Sequence, residues 1–367
     1  MWLVSRHEDV RAVLLDHNTF LADNTLDAVT PPSFATLRRL VDGGFRLPAT
    51  LANNSGASHP ELRRIATRFI GPASVSKAQP LIIEAACSAI DRVATQLDTT
   101  GSCDLAASIA RYVPCRVILS LLGMKHVDLP TFVRWSNAAL ELFWGRPSAS
   151  RQQVLASEVT DFHRWLGDQL DSLDGDNDGM LASLVRTQQS LSRDEIIGAC
   201  FFTLIAGQET TTQLLASSFF HLLNDPARWA SLREHPQATM GWVEEILRRE
   251  PPISTWRRVT SRATELRGVQ IPANASVLLM LTSAGSDEKV FDDAAELCPH
   301  RENARDHLAF GLGRHRCPGA ELSRAEAEIT LRTAAGRLPA LRLVEPRPPM
   351  LELLSFRSPS RVLVTRA

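Results

Sequence analysis

At 367 residues the chain is long enough for one large domain or two of average size. Its 44% hydrophobic and 22% charged content is that of an ordinary globular protein with a sizeable core. A formal net charge of -1 does not point to nucleic acid or an anionic lipid surface as the main partner, although arginines cluster around 63–68, 248–267 and 301–316.

The N-terminus, MWLVSRHEDVRAVL, has no signal-peptide pattern. The longest apolar run, IIGACFFTLIAG at 196–207, falls short of the ~20 residues that span a bilayer. A cytoplasmic protein with no membrane partner is the expectation. Cysteines 87, 103, 115, 200, 298 and 317 lack CxxC spacing, and in a reducing compartment they read as free thiols.

Taken in chain order, residues 22–57 read as loop, with PP, GG and NNSG, and predict a long surface excursion of the kind that covers substrates. Apolar residues at i, i+3, i+4 and i+7 then predict helices over 59–70, 77–98, 105–122, 130–143, 150–172, 192–222 and 226–249. Past 250 the period changes. Residues 257–281 read as short strands around turns at RG and IPANA, with VLLML as a buried strand. A loop-rich stretch, 282–316, precedes the helix ELSRAEAEITLRTAAGRL, and LELLSF with RVLVTR predicts a final hairpin. No repeat or linker is visible, so residues 1–367 read as a single, mainly α domain with small β-sheets.

Two apparent motifs carry no chemistry. DGDNDG at 174–179 opens like a calcium-binding loop, but the bidentate glutamate expected at its twelfth position is Val185. GLGRHR lacks the third glycine of a dinucleotide loop and no βαβ unit surrounds it.

Three places do carry chemistry. The first half of the 192–222 helix is almost purely apolar, as in a helix buried all round, and is followed by GQETTT at 207–212. Gly207 and the threonines admit a structural reading, in which another helix packs closely and the hydroxyls bond back to the preceding turn. They also admit a functional one: a helix opened locally beside a small ligand, with Phe202, Ile205, Ala206, Glu209 and Thr210 on or near one face. In EEILRREPP, Glu245 and Arg248 are three residues apart. Exposed, they would be worth a few tenths of a kcal/mol; buried, they need a further partner, for which Arg301 is the candidate. In FGLGRHRCPG, Cys317 lies among glycines 311, 313 and 319 and the basic Arg314, His315 and Arg316. Positive charge and the start of the next helix favour thiolate there. A thiolate bond to haem iron, a reactive thiol, and a zinc site using His300, His307, His315 and Cys317 are the readings, in that order; the zinc spacing matches no common pattern.

Together these features resemble the soluble bacterial cytochromes P-450. Phe310, Gly313, Cys317 and Gly319 meet the haem-ligand pattern; Ala206, Gly207, Glu209 and Thr210 meet that of the oxygen-binding helix; Glu245 and Arg248 meet Glu-x-x-Arg, with Arg301 as the arginine that joins it. His59 and Arg63 meet His-x-x-x-Arg, and with Arg258 and His315 they match the groups that hold the haem propionates. Members usually carry several dozen residues before the stretch WLVSRHEDV, so an N-terminal helix and a first strand are expected to be missing.

The resemblance implies a haem-thiolate monooxygenase: haem b on Cys317, dioxygen activation with protons handled by Thr210 and Glu209, and hydroxylation of a small to medium organic substrate. It implies electrons from a ferredoxin and its ferredoxin reductase, met by a basic face of Arg63, Arg64, Arg68, Arg314 and Arg316, and a monomer with no nucleic-acid partner. Candidate pocket positions are Phe202, Ile205, Ala206, Ser254, Thr255, Leu353 and Leu354. A peroxide-driven haem-thiolate enzyme and a non-catalytic haem sensor remain as alternatives, and the Glu209–Thr210 pair argues against both.

Overall fold

Thirty-one residues, Arg193–Leu223, form the longest helix, and much of the molecule is arranged around it. The computed structural model describes residues 1–124, 127–173, 178–186 and 191–366; most of the calcium-loop look-alike at 174–179 lies outside them. In chain order the first elements are β1 (Trp2–Val4), α1 (His7–Leu15), β2 (Phe20–Leu21), α2 (Phe34–Asp42), α3 (His59–Ile70), α4 (Val75–Thr100) and β3 (Ser102–Asp104). Then come α5 (Tyr112–Leu122), α6 (Leu129–Trp144), α7 (Ala149–Asp171), α8 (Met180–Val185), the long α9 (Arg193–Leu223), α10 (Pro226–Glu234) and α11 (Thr239–Arg249). The remainder is β4 (Thr255–Thr260), β5 (Thr264–Leu266), β6 (Val269–Ile271), β7 (Ser276–Met280), the single turn α12 (Leu281–Ala284), α13 (Ala320–Arg337), β8 (Leu341–Leu343) and β9 (Leu363–Arg366).

This is a mostly helical fold with small sheets. α9 starts at a capping box, in which Glu195 N–H donates to Ser192 Oγ and Ser192 N–H donates to Glu195 Oε2. It is buried on nearly every side, packed against α5, α6, α7, α10, α11 and α13, which explains its lack of a polar face. The main sheet runs β1-β7-β4-β2, with β1 parallel and β4 antiparallel to β7. Arg267 and Gly268, with φ of +50° and +78°, make the tight turn between β5 and β6 that the RG pair predicts.

Four sequence expectations need correction. The 22–57 excursion contains α2, whose Ser33 Oγ accepts from Thr36 N–H at 3.2 Å. Its Phe34, Leu37 and Val41 face solvent while the helix packs on α7, so no buried stripe announced it. Residues 226–249 are two helices, because Pro236 lacks the N–H a continuous helix would need. Residues 105–122 begin with a π-turn at Ala106–Ala110 before α5, anchored where Asp104 Oδ1 accepts the N–H groups of Ala106 and Val362. Finally, RVLVTR supplies β9, which pairs with β3 and β8, not with LELLSF. The latter folds onto its own continuation and the 250s, through bridges Met350–Pro359 and Ile253–Phe356.

Candidate active site

A cavity of about 1550 Å³, open towards solvent, gathers residues from α3, α5, α6, α9, β4, the 309–319 loop and α13. Eleven of the sequence candidates line it: Arg63, Phe202, Ile205, Ala206, Gly207, Glu209, Thr210, Arg258, Phe310, His315 and Cys317. His59 stands just behind, its ring centroid 4.7 Å from that of His315.

Cys317 is held by its own loop. Gly311 and Gly313 take φ of +63° and +65°, and a Cβ on Gly313 would lie 3.2 Å from the Leu14 carbonyl. The loop then closes with Cys317 N–H donating to the Phe310 carbonyl at 2.8 Å. The accessible surface of Cys317 faces the cavity it lines. In the protein alone, burial pushes its thiol up, outweighing the Gly319 N–H and the charges of Arg63, Arg316 and Arg324. The basic neighbours therefore do not by themselves produce the thiolate their sequence position predicts.

Positive groups crowd the same cavity. Arg258 is 3% exposed, and among the described residues its guanidinium makes one hydrogen bond, to the Arg257 carbonyl at 2.8 Å. Burial lowers its pKa to about 10. Burial and neighbouring arginines lower both His59 and His315 to about 4, so both rings are neutral donors at pH 7. His59 Nε2 and Arg314 Nε are buried without a partner. No carboxylate pairs with Arg63, Arg258 or Arg314 among the described residues.

On α9, Thr210 Oγ1 donates to the Ala206 carbonyl at 2.7 Å and the helix is continuous, so the local opening anticipated from GQETTT is absent. A Cβ on Gly207 would fall 2.7 Å from Ile118 Cδ1 of α5, so this glycine serves close helix packing as well as the cavity wall. Glu209 is 4% exposed with Oε1 unpartnered, and burial raises its pKa to about 7 against the pull of Arg111. It also lines a second, more polar cavity of about 1400 Å³ with Arg111, Asn137, Glu141 and Glu352.

Glu245, Arg248 and Arg301 do converge, away from the cavity. Arg248 Nε and Nη2 donate to Glu245 Oε1 and Oε2 at 2.7 and 3.0 Å, and Arg301 Nε donates to Oε1 at 3.0 Å. His307 is committed to Glu244, and His315 to the Leu51 carbonyl, so the zinc reading loses two of its ligands.

Four pocket candidates, Ser254, Thr255, Leu353 and Leu354, are not on the main wall. Ser254 lies before β4 starts, its N–H and carbonyl tied to Ser355 and Thr282, and Ile253 and Trp256 line the cavity instead. Leu353 and Leu354 belong to the second cavity, and Thr255 turns its hydroxyl to the Leu354 carbonyl at 3.0 Å.

Sequence reasoning missed an aromatic wall. Trp144 and Trp256 stack with centroids 6.2 Å apart, and Phe356 stands edge-on to Trp144 at 5.0 Å. It also missed Glu326, a fully buried carboxyl on α13 that burial pushes up to about 8. Its available signal was an acidic residue sharing a helix face with Ser323 at i−3 and Thr330 at i+4.

The Cytochrome P450 family pattern matches residues 148–335. The chain belongs to the cytochrome P450 family. It is 32% identical over 348 residues to the mycinamicin IV hydroxylase/epoxidase of Micromonospora griseorubida, covering 93% of this chain and 83% of that protein. With the cytochrome P450 monooxygenase PikC of Streptomyces venezuelae it shares 31% identity over 352 residues, 94% of this chain and 79% of PikC. The fold superposes on cytochrome P450 CREJ in complex with (4-ethylphenyl) dihydrogen phosphate with a TM-score of 0.94 at 31% identity, covering 100% of this chain and 92% of CREJ.

The protein is thus a P450 monooxygenase, an oxidoreductase and a haem enzyme. The residues present fit that cofactor. Unpaired cationic and donor groups at one end of the cavity suit two carboxylates, and a thiol on the same wall suits an iron. No helix among the described residues is long and apolar enough to cross a membrane.

Proposed function

We propose that residues 1–367 act as one haem-thiolate domain that hydroxylates a small to medium organic molecule, with Cys317 as the axial ligand of haem b. The observation that carries this reading is that Cys317 and the Glu209–Thr210 pair line one cavity. His59, Arg63, Arg258 and His315 would hold the propionates of the bound group, with Arg314 as a further donor. Phe310, Ala206 and Gly207, which line the same cavity, would contact the bound group, and the Glu245–Arg248–Arg301 cluster is structural. Haem, when bound, supplies the activation of dioxygen; the chain positions substrate, moves protons and excludes water.

Thr210 has its proton on the Ala206 carbonyl, so its oxygen presents lone pairs to the cavity and the hydroxyl turns to donate. Glu209, poised at about 7 and lining both cavities, exchanges protons with the polar side and returns them towards Thr210. Glu326 holds a second proton on the same cavity. Trp144, Trp256, Phe356, Phe202 and Ile205 give the substrate an apolar, largely aromatic surface, so a ring-bearing compound fits better than a linear acid.

Electrons come from a ferredoxin and its reductase in the cytoplasm, docking a monomer at exposed Arg68 and Arg316. Arg64 is a weaker contributor, since its guanidinium is already paired with Glu61 at 2.7 Å. The test is the ferrous–carbon monoxide spectrum: wild type gives the red-shifted Soret band of thiolate ligation and Cys317→His does not. In turnover, Thr210→Ala releases hydrogen peroxide at the expense of product. Unchanged coupling there removes the proton role, and a neutral-ligand band in wild type removes the assignment of Cys317.

A further inference from the structure

Beside the Glu245–Arg248–Arg301 cluster lies a second buried ion cluster that no motif announces. Glu244, 3% exposed, accepts from Arg324 Nε and Nη2 at 2.7 and 3.0 Å in a two-pronged pair. His307 Nε2 lies 3.1 Å from Glu244 Oε2 and Arg305 Nε lies 3.2 Å from Oε1. His307 Nδ1 accepts from Ala309 N–H at 3.2 Å, which places the ring proton on Nε2, facing the carboxylate. Those contacts hold Glu244 ionised, with its pKa near 2.

What the cluster holds is the thiolate loop. The Arg324 guanidinium sits 4.6 Å from the Phe310 ring centroid, and the His307 ring lies 5.8 Å from the same ring. Phe310 in turn takes the Cys317 N–H on its carbonyl. Arg324 is 6% exposed, so its charge is little screened by water. Its other acidic partner, Glu321, is 39% exposed and bound at 3.0 Å. Arg324 is one of three arginines whose charge favours the Cys317 thiolate.

We propose that Arg324, fixed by Glu244 and laid on Phe310, is a positioning residue that sets the reduction potential of the bound haem. This rests on Cys317 being the axial ligand. A buried positive charge near the thiolate stabilises the reduced site, which carries one more electron, and so raises the potential. Glu244 offsets part of that charge, so the two partners of one ion pair pull the potential in opposite directions.

The test is the midpoint potential of the substrate-free holoenzyme, measured anaerobically by dye-coupled titration, for Arg324→Gln, Arg324→Lys and Glu244→Gln. Arg324→Gln lowers the equilibrium constant for electron uptake about tenfold, ~59 mV for a one-electron couple. Glu244→Gln raises it, and Arg324→Lys, which keeps charge but loses the two-pronged fork, stays nearer to wild type than Arg324→Gln does. A merely structural cluster moves Arg324→Gln and Glu244→Gln in the same direction, alongside a fall in thermal stability. Same-sign or absent shifts, with the thiolate Soret band intact, overturn the inference alone. If Arg324→Gln does not retain haem, the sign of the Glu244→Gln shift decides. A wild-type protein without the thiolate band overturns the ligand assignment and the inference together.

Discussion

Glu245→Gln removes one negative charge and almost no volume, from a carboxyl with 0% exposure. Its partner Arg248 is 1% exposed and cannot find water instead. Removing one member of such a pair costs ~3–5 kcal/mol, because the other charge stays buried. For 367 residues at ~2.1 cal/mol/K each, the unfolding entropy is about 0.8 kcal/mol/K, so the melting temperature falls by about 5 °C. Arg301→Ala costs less, since Glu245 keeps both Arg248 bonds and the Cys298 N–H at 2.9 Å. The loss also has a location. Arg248 Nη1 and Nη2 tie down the carbonyls of Gly285, Ala294 and Glu296, so the loop over 285–298 loosens first. Thermal unfolding followed by far-ultraviolet circular dichroism, with limited proteolysis mapped by mass spectrometry, reads both effects. A shift under 2 °C, or cleavage elsewhere than 285–298, refutes the reasoning.

Arg258→Met separates the protein from its cofactor. It stabilises the apoprotein by relieving an unpaired buried charge, and speeds haem loss to apomyoglobin; the same sign in both assays contradicts the propionate role. Glu326 has a folded pKa near 8, above the 4.5 of a free glutamate, so its neutral form contributes stability that is complete below pH 4.5 and lost as pH rises through 8. Urea unfolding between pH 5 and 8 therefore gives a falling stability, at most ~1.4 kcal/mol per pH unit from this group, and Glu326→Gln flattens that share. Glu209, near 7, adds the same sign up to neutral pH. Gly207→Val drives two methyl groups towards Ile118, whose Cδ1 already lies 2.7 Å from the site of a Cβ. That costs ~1–3 kcal/mol in denaturant unfolding, and pairing it with Ile118→Ala recovers part of it. Trp144→Ala opens the stacked pair and weakens the spin-state response to aromatic ligands more than to aliphatic ones of equal size.

The helices were legible because burial repeats along them; α9 was legible because polar residues interrupt an apolar run. Local text could also name Cys317, Glu209 and Glu245, since each sits in a short pattern. What it could not carry was company. Trp144, Trp256 and Phe356 come from three distant segments and meet through the fold alone. Glu244 reads as the lesser of two adjacent glutamates until Arg324, eighty residues on, is folded against it. α2 was hidden for the opposite reason, since its apolar residues point outward and mimic a solvated loop. Ser254 misled because it stands outside β4, whose alternation carries Trp256 and Arg258 to the cavity instead.

The segment 22–57 is fastened to the cavity rim at both ends, and its middle rests on α7, where Gln152 Oε1 accepts from Ser33 N–H at 2.8 Å and Thr36 Oγ1 at 3.1 Å. At its start, Asn24 Nδ2 donates to the Arg258 carbonyl at 2.9 Å and Arg257 Nη2 donates to the Thr25 carbonyl at 2.9 Å. At its end, the Leu51 carbonyl meets His315 Nδ1 at 3.2 Å and the Gly56 carbonyl takes Arg314 Nη2 at 2.9 Å. A strap buckled at both ends can only bow at its centre. A movement that lifted α2 from α7 would break the Ser33 and Thr36 bonds to Gln152 and leave the contacts to Arg258, Arg314 and His315 in place. Traffic through the middle of the strap and retention of an anionic group at its ends are mechanically separate, so one can be fast while the other stays tight.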